Sequence, residues 1–255
     1  DWSSDVCSSD LWIPNAHQVE AVATATPEVR KMDKEGYQVG TIIKDGVTLP
    51  VFRFELFLAG VDDDSFDENG KLILHDVFDT EHLMLISPAE LLADSSFTFS
   101  EEAIENREQI QTYWDQKLKG YSASNGWVGP VPVTTDNYSE SGTIKGVTFT
   151  ATKSDFASKG MEPDAEDTYC LRYSLPYYLV VKDADAAQTL ARQTMAAGKD
   201  SVTLGNTATW EKHNITAETT VDAEFKPAGK TISYNEQKDL ATYTITLNPQ
   251  GLTLN

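Results

Sequence analysis

The stretch VFRFELFLAG, residues 51–60, places bulky apolar side chains at every second position and ends on a glycine. Successive side chains of a β-strand point to opposite faces of a sheet, so this period of two predicts a strand with one face toward a core. Many short strands separated by Gly, Asn and Asp indicate a mainly β protein, specifically a β-sandwich. The same alternation recurs in six further segments: residues 71–78, 82–87, 143–153, 168–182, 201–210 and 241–248.

Two segments depart from this alternation and predict helices. The first covers residues 100–119, with Ser100 as its N-cap, two glutamates in its first turn and Gly120 after its end. The second covers residues 185–197 and contains the run AAQTLARQTMAA before Gly198. We expect the second helix to cover an open end of the sandwich.

The charge balance restricts the possible partners. The 255 residues carry 40 acidic and 20 basic side chains, a formal net charge of −20. A nucleic-acid-binding surface needs Lys and Arg against the phosphates, so this composition disfavours nucleic acid as a partner. The sequence contains no apolar run of about 18 residues, so no membrane span is predicted.

The opening DWSSDVCSSDL, residues 1–11, shows neither apolar periodicity nor turn residues in a regular pattern. It resembles a translated sequencing adapter, and we expect it to be an artefact outside the fold. A genuine polar leader is the alternative interpretation. In the favoured interpretation, residues 12–27 are a linker or the end of a preceding module. The chain is expected to be an internal fragment of a longer protein.

A repeat divides the remainder of the chain. Residues 31–79 and 229–255 both pass from a lysine-containing strand through a polar turn into an alternating strand and a segment rich in Gly, Asp or Asn. This match predicts a complete module over residues 28–215 and the start of a second similar module over residues 216–255. The boundary is expected in the polar stretch 211–225.

The segment from VTLGNTATW (202–210) into KTISYNEQKDLATYTITLNPQG (230–251) resembles a junction between tandem modules of Gram-positive cell-wall-anchored surface proteins. These are the isopeptide-forming fimbrial and adhesin modules with the collagen-adhesin A-type fold. The resemblance implies an Ig-like β-sandwich in which the two helices are insertions. It also implies an extracellular, cell-wall-anchored structural or adhesive module that is not an enzyme and needs no cofactor.

Members of that family join a lysine near the first strand to an asparagine on the last strand, with a carboxylic acid between them. Carried over to this chain, Lys31 in VRKMDK matches the nucleophile, with Lys34 as the alternative. Asn206 in LGNTAT matches the acceptor, and Asp76 in LILHDVFD matches the acid that shuttles the proton. Lys230 is the corresponding lysine of the incomplete second module.

The chemistry of the cross-link explains these residue types. Burial lowers the pKa of a lysine and releases the free amine, and it raises the pKa of a carboxylic acid. A protonated acid can polarise the amide and deliver a proton to the departing ammonia. We expect Phe54, Phe78 and Tyr173 to supply the apolar wall, and we expect the lysine and the asparagine to lie on adjacent strands.

Metal and cofactor sites are not predicted. The acidic run DDDSFDENGK, residues 62–71, invites comparison with a calcium loop, but it lies between strands and places poor ligands at the key positions. A solvated turn is the favoured interpretation. The four histidines show no metal-ligand spacing.

Two alternatives to a structural module stay open. One is a ligand-binding adhesin head for a host matrix protein or a glycan. Its aromatic residues could stack on sugars: Trp114, Trp127, Tyr138, Tyr177, Tyr178 and Trp210. The other is an accessory domain of a secreted carbohydrate-active enzyme. In the favoured interpretation, the main partners are neighbouring modules of the same chain.

Overall fold

The structure is a computed structural model that describes residues 30–100, 127–128, 131–157, 168–225, 228–248 and 250–253. The expectations for residues 1–11 and 12–27 therefore lie outside the described residues. The same holds for the predicted helix over 100–119 beyond Ser100.

The described residues are mainly β, as predicted. Three α-helices accompany the strands in this part of the chain: α1 (Pro88–Ala93), α2 (Lys153–Ala157) and α3 (Ala184–Ala196). The strands in chain order are β1 (Lys31–Lys44), β2 (Val47–Asp62), β3 (Lys71–Phe78), β4 (Leu83–Ile86), β5 (Thr98–Phe99), β6 (Trp127–Val128), β7 (Thr134–Glu140), β8 (Thr143–Thr152), β9 (Thr168–Val181), β10 (Ser201–Trp210), β11 (Ile215–Glu224), β12 (Ala228–Asn235) and β13 (Leu240–Leu247).

Two sheets form the body of the fold. The first has the order β4-β9-β2-β1-β5, and β6 also pairs with β9. The second has the order β11-β10-β3-β8-β7. The pairs within both sheets are antiparallel except for β6 with β9. The inner faces of the two sheets contact each other, since the ring of Phe149 on β8 lies 5.0 Å from that of Tyr177 on β9.

All seven segments with strong alternation form strands, and the helix predicted over 185–197 is confirmed as α3. Strands β7 and β11 were not predicted. Almost all of β7 is exposed, and β11 alternates small residues and threonines with charged ones. Period-two analysis detects a strand by its bulky apolar residues, so both segments gave only a weak signal.

Two hairpins close with the same turn chemistry. The β1–β2 turn has positive φ angles of 51° at Asp45 and 78° at Gly46. The β7–β8 turn has 55° at Ser141 and 79° at Gly142. Positive φ at both central residues is the type I′ turn, whose twist matches that of the adjoining strands. These turns help set the register of two pairs of strands, β1 with β2 and β7 with β8.

Helix α3 contacts both sheets, through β10 of one and β2 of the other. The Asp183 side chain caps its first turn by accepting a hydrogen bond from the Ala186 backbone amide at 2.8 Å. Its buried face consists of small and aliphatic residues, including Ala187, Leu190 and Ala191. This position agrees with a helix that closes one end of the two-sheet core.

The predicted boundary at residues 215/216 requires correction. Strand β11 pairs with β10 along all of its length, from Trp210↔Ile215 to Ser201↔Glu224. Val221, Ala223 and Phe225 are buried in the core. The first unit therefore extends through Phe225, because the polar residues of 215–224 are the outward half of a strand and not a linker.

Strands β12 and β13 form a separate two-stranded sheet. In this hairpin the residues of one face are largely apolar, and its register pairs Ile232 with Tyr243 and Lys230 with Ile245. The opposite face carries mainly Thr and Ser. Both Ile232 and Ile245 are exposed. A two-stranded hairpin alone is marginally stable in water, so this apolar face needs a covering layer for full stability.

Within the described part of the chain, none of the helices combines the length and the apolar character needed to cross a membrane.

Candidate functional site

Lys34 enters the core from β1. Its neighbour on the same face of the strand is Met32, which is buried, whereas Lys31, Asp33 and Glu35 occupy the opposite, exposed face. The Lys34 side chain is 0% exposed. The period of two therefore directs this one lysine into the space between the sheets.

Asp76 and Asn206 reach the same space from the opposing sheet. Asp76 follows Leu72 and Leu74 on the buried face of β3, and Asn206 stands between Leu204 and Ala208 on the buried face of β10. Strands β3 and β10 are hydrogen-bonded neighbours, and the register pairs Asp76 with Ala208. Residues two positions apart in register lie diagonally on one face, which brings the carboxyl and the amide together.

A glycine permits the close approach of the strand on the other side of Asp76. An added Cβ on Gly146 of β8 would lie 1.7 Å from the Asp76 backbone oxygen. No other residue fits there without a backbone shift. Gly146 therefore belongs to the structure that positions the acid.

The three polar side chains contact one another directly. The Lys34 ammonium nitrogen Nζ donates to Asp76 Oδ2 and to Asn206 Oδ1. Tyr177 on β9 donates its hydroxyl proton to Asp76 Oδ2 at 2.5 Å. Asn206 Nδ2 in turn donates to the Tyr177 hydroxyl oxygen at 3.1 Å. The amine of Lys34 thus lies beside the amide whose carbon it would attack.

Burial changes the acid–base properties of all three titratable groups. The pKa of Lys34 is lowered because desolvation disfavours its ammonium form, although Asp76 acts in the opposite direction. The pKa of Asp76 is raised by the same desolvation, despite the Lys34 charge and the hydrogen bonds it receives. The pKa of Tyr177 is raised well above its ordinary value by burial and by the Asp76 charge. These directions favour a neutral amine next to a neutral acid and a protonated phenol.

The surroundings of one Asp76 carboxyl oxygen also favour the neutral form of this acid. Asp76 Oδ1 is buried and has no hydrogen-bond partner among the described residues. A buried carboxylate oxygen without a donor raises the cost of the ionised form. The local geometry therefore supports the same direction as the pKa shifts.

An aromatic wall encloses the cluster. The Lys34 nitrogen lies 5.7 Å from the Phe54 ring centroid and 5.5 Å from that of Tyr177. Phe54 and Tyr177 stack with centroids 5.6 Å apart. Phe54 is therefore confirmed as part of the wall, and Phe78 is buried opposite Asn206 in the register. Tyr173 is buried and its ring packs against Phe156, with centroids 5.2 Å apart, so its place in the wall stays a prediction.

The preference for Lys31 as the nucleophile is corrected to Lys34. The Lys31 side chain is 65% exposed and pairs with Asp33 at 2.5 Å on the outer face of β1. The expectation that lysine and asparagine occupy adjacent strands is also wrong, because β1 and β10 belong to different sheets. A bond between Lys34 and Asn206 would connect the two sheets across the core.

Replacing Lys31 with alanine is expected to leave both cross-linking and stability unchanged. The side chain is exposed, and surface substitutions of this kind usually stay within about 0.5 kcal/mol. Intact mass and a urea titration of the Lys31→Ala chain measure the two quantities. A change in either one would restore Lys31 as a candidate.

Lys230 occupies the hairpin and not the cluster. Its ammonium lies 4.7 Å from the centroid of the Tyr243 ring on the apolar face of β12 and β13. Among the described residues, no carboxyl or asparagine side chain forms a hydrogen bond or ion pair with it. Lys230 therefore lies on an apolar face, as a reactive lysine would, but has no acid or asparagine beside it.

The other sequence candidates form no comparable site. In the acidic run, Asp67 Oδ1 accepts hydrogen bonds from the backbone amides of Asn69 and Lys71, each at 2.8 Å. These bonds form the turn that the sequence analysis favoured over a calcium loop. Tyr177, Tyr178 and Trp210 are buried and cannot form a sugar-stacking surface together. The side chains of Trp114 and Trp127 lie outside the described residues.

Tyr177 is the member of this cluster that sequence analysis missed. Its strand is buried on both faces along residues 173–181, so no local signal distinguishes it from Tyr173 or Tyr178. The register of β9 against β2 distinguishes Tyr177, since it lies opposite Phe54.

No family model matches the sequence, and no curated protein matches it.

Proposed function

We propose that this chain is a structural or adhesive module of a bacterial cell-surface or fimbrial protein, stabilised by an autocatalytic isopeptide bond between Lys34 and Asn206. The fold would be an Ig-like β-sandwich of the collagen-adhesin A type. The observation that carries the proposal is the convergence of a lysine, an acid and an asparagine in one apolar enclosure. Each of them replaces an apolar residue on the core face of its strand.

A buried ion pair alone is a poor explanation for this arrangement. Desolvating two charges costs several kcal/mol, and well-packed apolar residues often replace such pairs without loss of stability. A cluster whose pKa shifts favour the neutral forms gives up much of the Coulomb attraction as well. The arrangement has a clear use as a reactive site, in which the neutral amine is the nucleophile.

The location of the bond suits a module under tension. Lys34 lies on β1 and Asn206 lies on β10, 172 positions apart in the sequence. Tension entering near one residue and leaving near the other would pass through the covalent bond. Strands β2 to β9 lie between the two residues in the sequence, so the bond would keep the force from unfolding them.

The test is the mass of the denatured wild-type chain and of its tryptic peptides. Condensation releases ammonia, so the intact mass should be lower by about 17 Da. Trypsin cannot cleave after an acylated lysine, so peptide 32–44 should remain whole and be joined to peptide 200–212. Full mass together with separate cleavage after Lys34 would refute the proposed bond.

A further inference from the structure

The Tyr177 hydroxyl lies between the acid and the leaving group of the proposed reaction. It donates to Asp76 Oδ2 at 2.5 Å and accepts from Asn206 Nδ2 at 3.1 Å. Its ring is fixed by stacking on Phe54 and by contact with Phe149, with a centroid separation of 5.0 Å for the second pair. The ring contacts thus hold the hydroxyl oxygen in one place, with both partners in reach.

These contacts also orient the asparagine. Lys34 donates to the amide oxygen Oδ1, so the nitrogen Nδ2 faces Tyr177. Nδ2 is the atom that departs as ammonia when the amine displaces it. The tyrosine therefore contacts the leaving group directly, while Asp76 bonds to Lys34 and Tyr177 and lies beside the same amide.

A continuous path of hydrogen bonds connects the nucleophile to the leaving group. It runs from Lys34 Nζ to Asp76 Oδ2, then to the Tyr177 hydroxyl, and then to Asn206 Nδ2. We propose that Tyr177 is a catalytic residue of the cross-linking reaction, which passes the proton from Asp76 to the departing nitrogen. This inference rests on the proposed isopeptide function and adds a fourth member to its site.

The step balances with one relayed proton. The neutral Lys34 amine bonds to Cγ of Asn206, and the carbonyl electron pair moves to Oδ1. The neutral Asp76 passes its proton from Oδ2 to the Tyr177 oxygen, and the tyrosine gives its own proton to Nδ2. The carboxylate left at Asp76 then takes one proton from Nζ. The bond from Cγ to Nδ2 breaks as the carbonyl re-forms, which leaves the secondary amide and neutral ammonia.

The properties of the phenol suit this role. Burial raises the pKa of Tyr177, so the hydroxyl stays protonated and available as a donor. Both the donor and the acceptor functions reside on one oxygen, so the relay needs only a reversal of the hydrogen bond to Asp76. The sealed site also keeps the proton from exchanging with solvent during the transfer.

Replacing Tyr177 with phenylalanine tests the relay, because it removes the hydroxyl and keeps the ring. In cell-free synthesis, the fraction of chains with the mass loss of about 17 Da is followed over time after folding. We expect cross-linking to slow at least tenfold, since a positioned proton-transfer group typically contributes about 100-fold or more. Tyr178→Phe is the matched control, because it removes a buried hydroxyl from the next residue on the opposite face, and its rate should equal that of wild type.

A pH profile separates proton transfer from packing. In wild type the proton remains inside the enclosure, so the rate should be flat between about pH 6 and pH 9. In Tyr177→Phe the departing nitrogen must take its proton from water, so the residual rate should fall as pH rises. A uniform loss of rate at all pH values would indicate a packing role and overturn the relay.

The outcomes distinguish the two proposals. Cross-linking of Tyr177→Phe at the wild-type rate would overturn the relay and leave the isopeptide bond intact. A wild-type chain of full mass would refute the bond itself. If Tyr177→Phe fails to fold, the chain is made with difluorotyrosine in place of Tyr177 and no other change. An unchanged cross-linking rate with this more acidic phenol would likewise overturn the relay.

Discussion

Replacing Asp76 with alanine is expected to restore the full mass of the chain and to abolish the branched peptide. The acid accepts the proton of Lys34 and stands at the start of the path to the leaving group, so its loss removes both transfers. Intact mass spectrometry of the denatured variant measures the result, and circular dichroism reports whether the sheets remain. The variant should fold, because burial lowers the pKa of Lys34 and a neutral amine can stay in the core.

Asp79→Ala is the control for this substitution. Asp79 follows directly after β3 but lies outside the cluster, where it pairs with His82. Its replacement should leave the mass loss in place. A cross-linked Asp76→Ala chain would show that another group carries the proton, and the assignment of the acid would fail.

Replacing Asn206 with alanine is expected to cause a large loss of stability. The bond would close a loop of 172 positions, which the chain-entropy model values at about 5 kcal/mol through the unfolded state. The lost hydrogen bonds add roughly 1–3 kcal/mol. In a domain of this size the midpoint of thermal unfolding should fall by roughly 10–30 °C.

This variant separates a covalent bond from a simple ion pair. Asn206→Ala leaves Lys34 and Asp76 in contact, so without a bond only the hydrogen-bond loss would remain. Ser174→Ala is the matched control, because it removes one buried side-chain hydrogen bond, to Glu55, without touching the cluster. A similar, small loss in both variants, measured by urea unfolding, would argue against the cross-link.

Much of the site was accessible to sequence analysis. Asp76 and Asn206 were selected from the family resemblance, and their strands follow from the alternation of LILHDVF and SVTLGNTATW. The period of two along β1 also identifies the buried lysine, since Lys34 shares its parity with Met32 and Lys31 does not. A polar residue at a core position of a regular strand is a local signal, and it marks Lys34, Asp76 and Asn206 alike.

The boundary of the first unit was less accessible. Strand β11 has few bulky residues, so its own pattern resembles a polar connection, and only its pairing with β10 reveals it as part of the sheet. The hairpin of β12 and β13 is the opposite case. Its alternation is strong, so sequence analysis identified both of its strands, although the described residues provide no layer over its apolar face.

By itself the sequence determined the strands that carry bulky apolar residues and which side of each of them turns inward, because side-chain direction follows from the period of two. Only the tertiary structure decided which polar residues meet. Lys34 reaches Asp76 and Asn206 from the opposite sheet, and Tyr177 joins them through the register of β9 against β2. Contacts between sheets depend on how the two layers pack, and no local pattern along the chain encodes that packing.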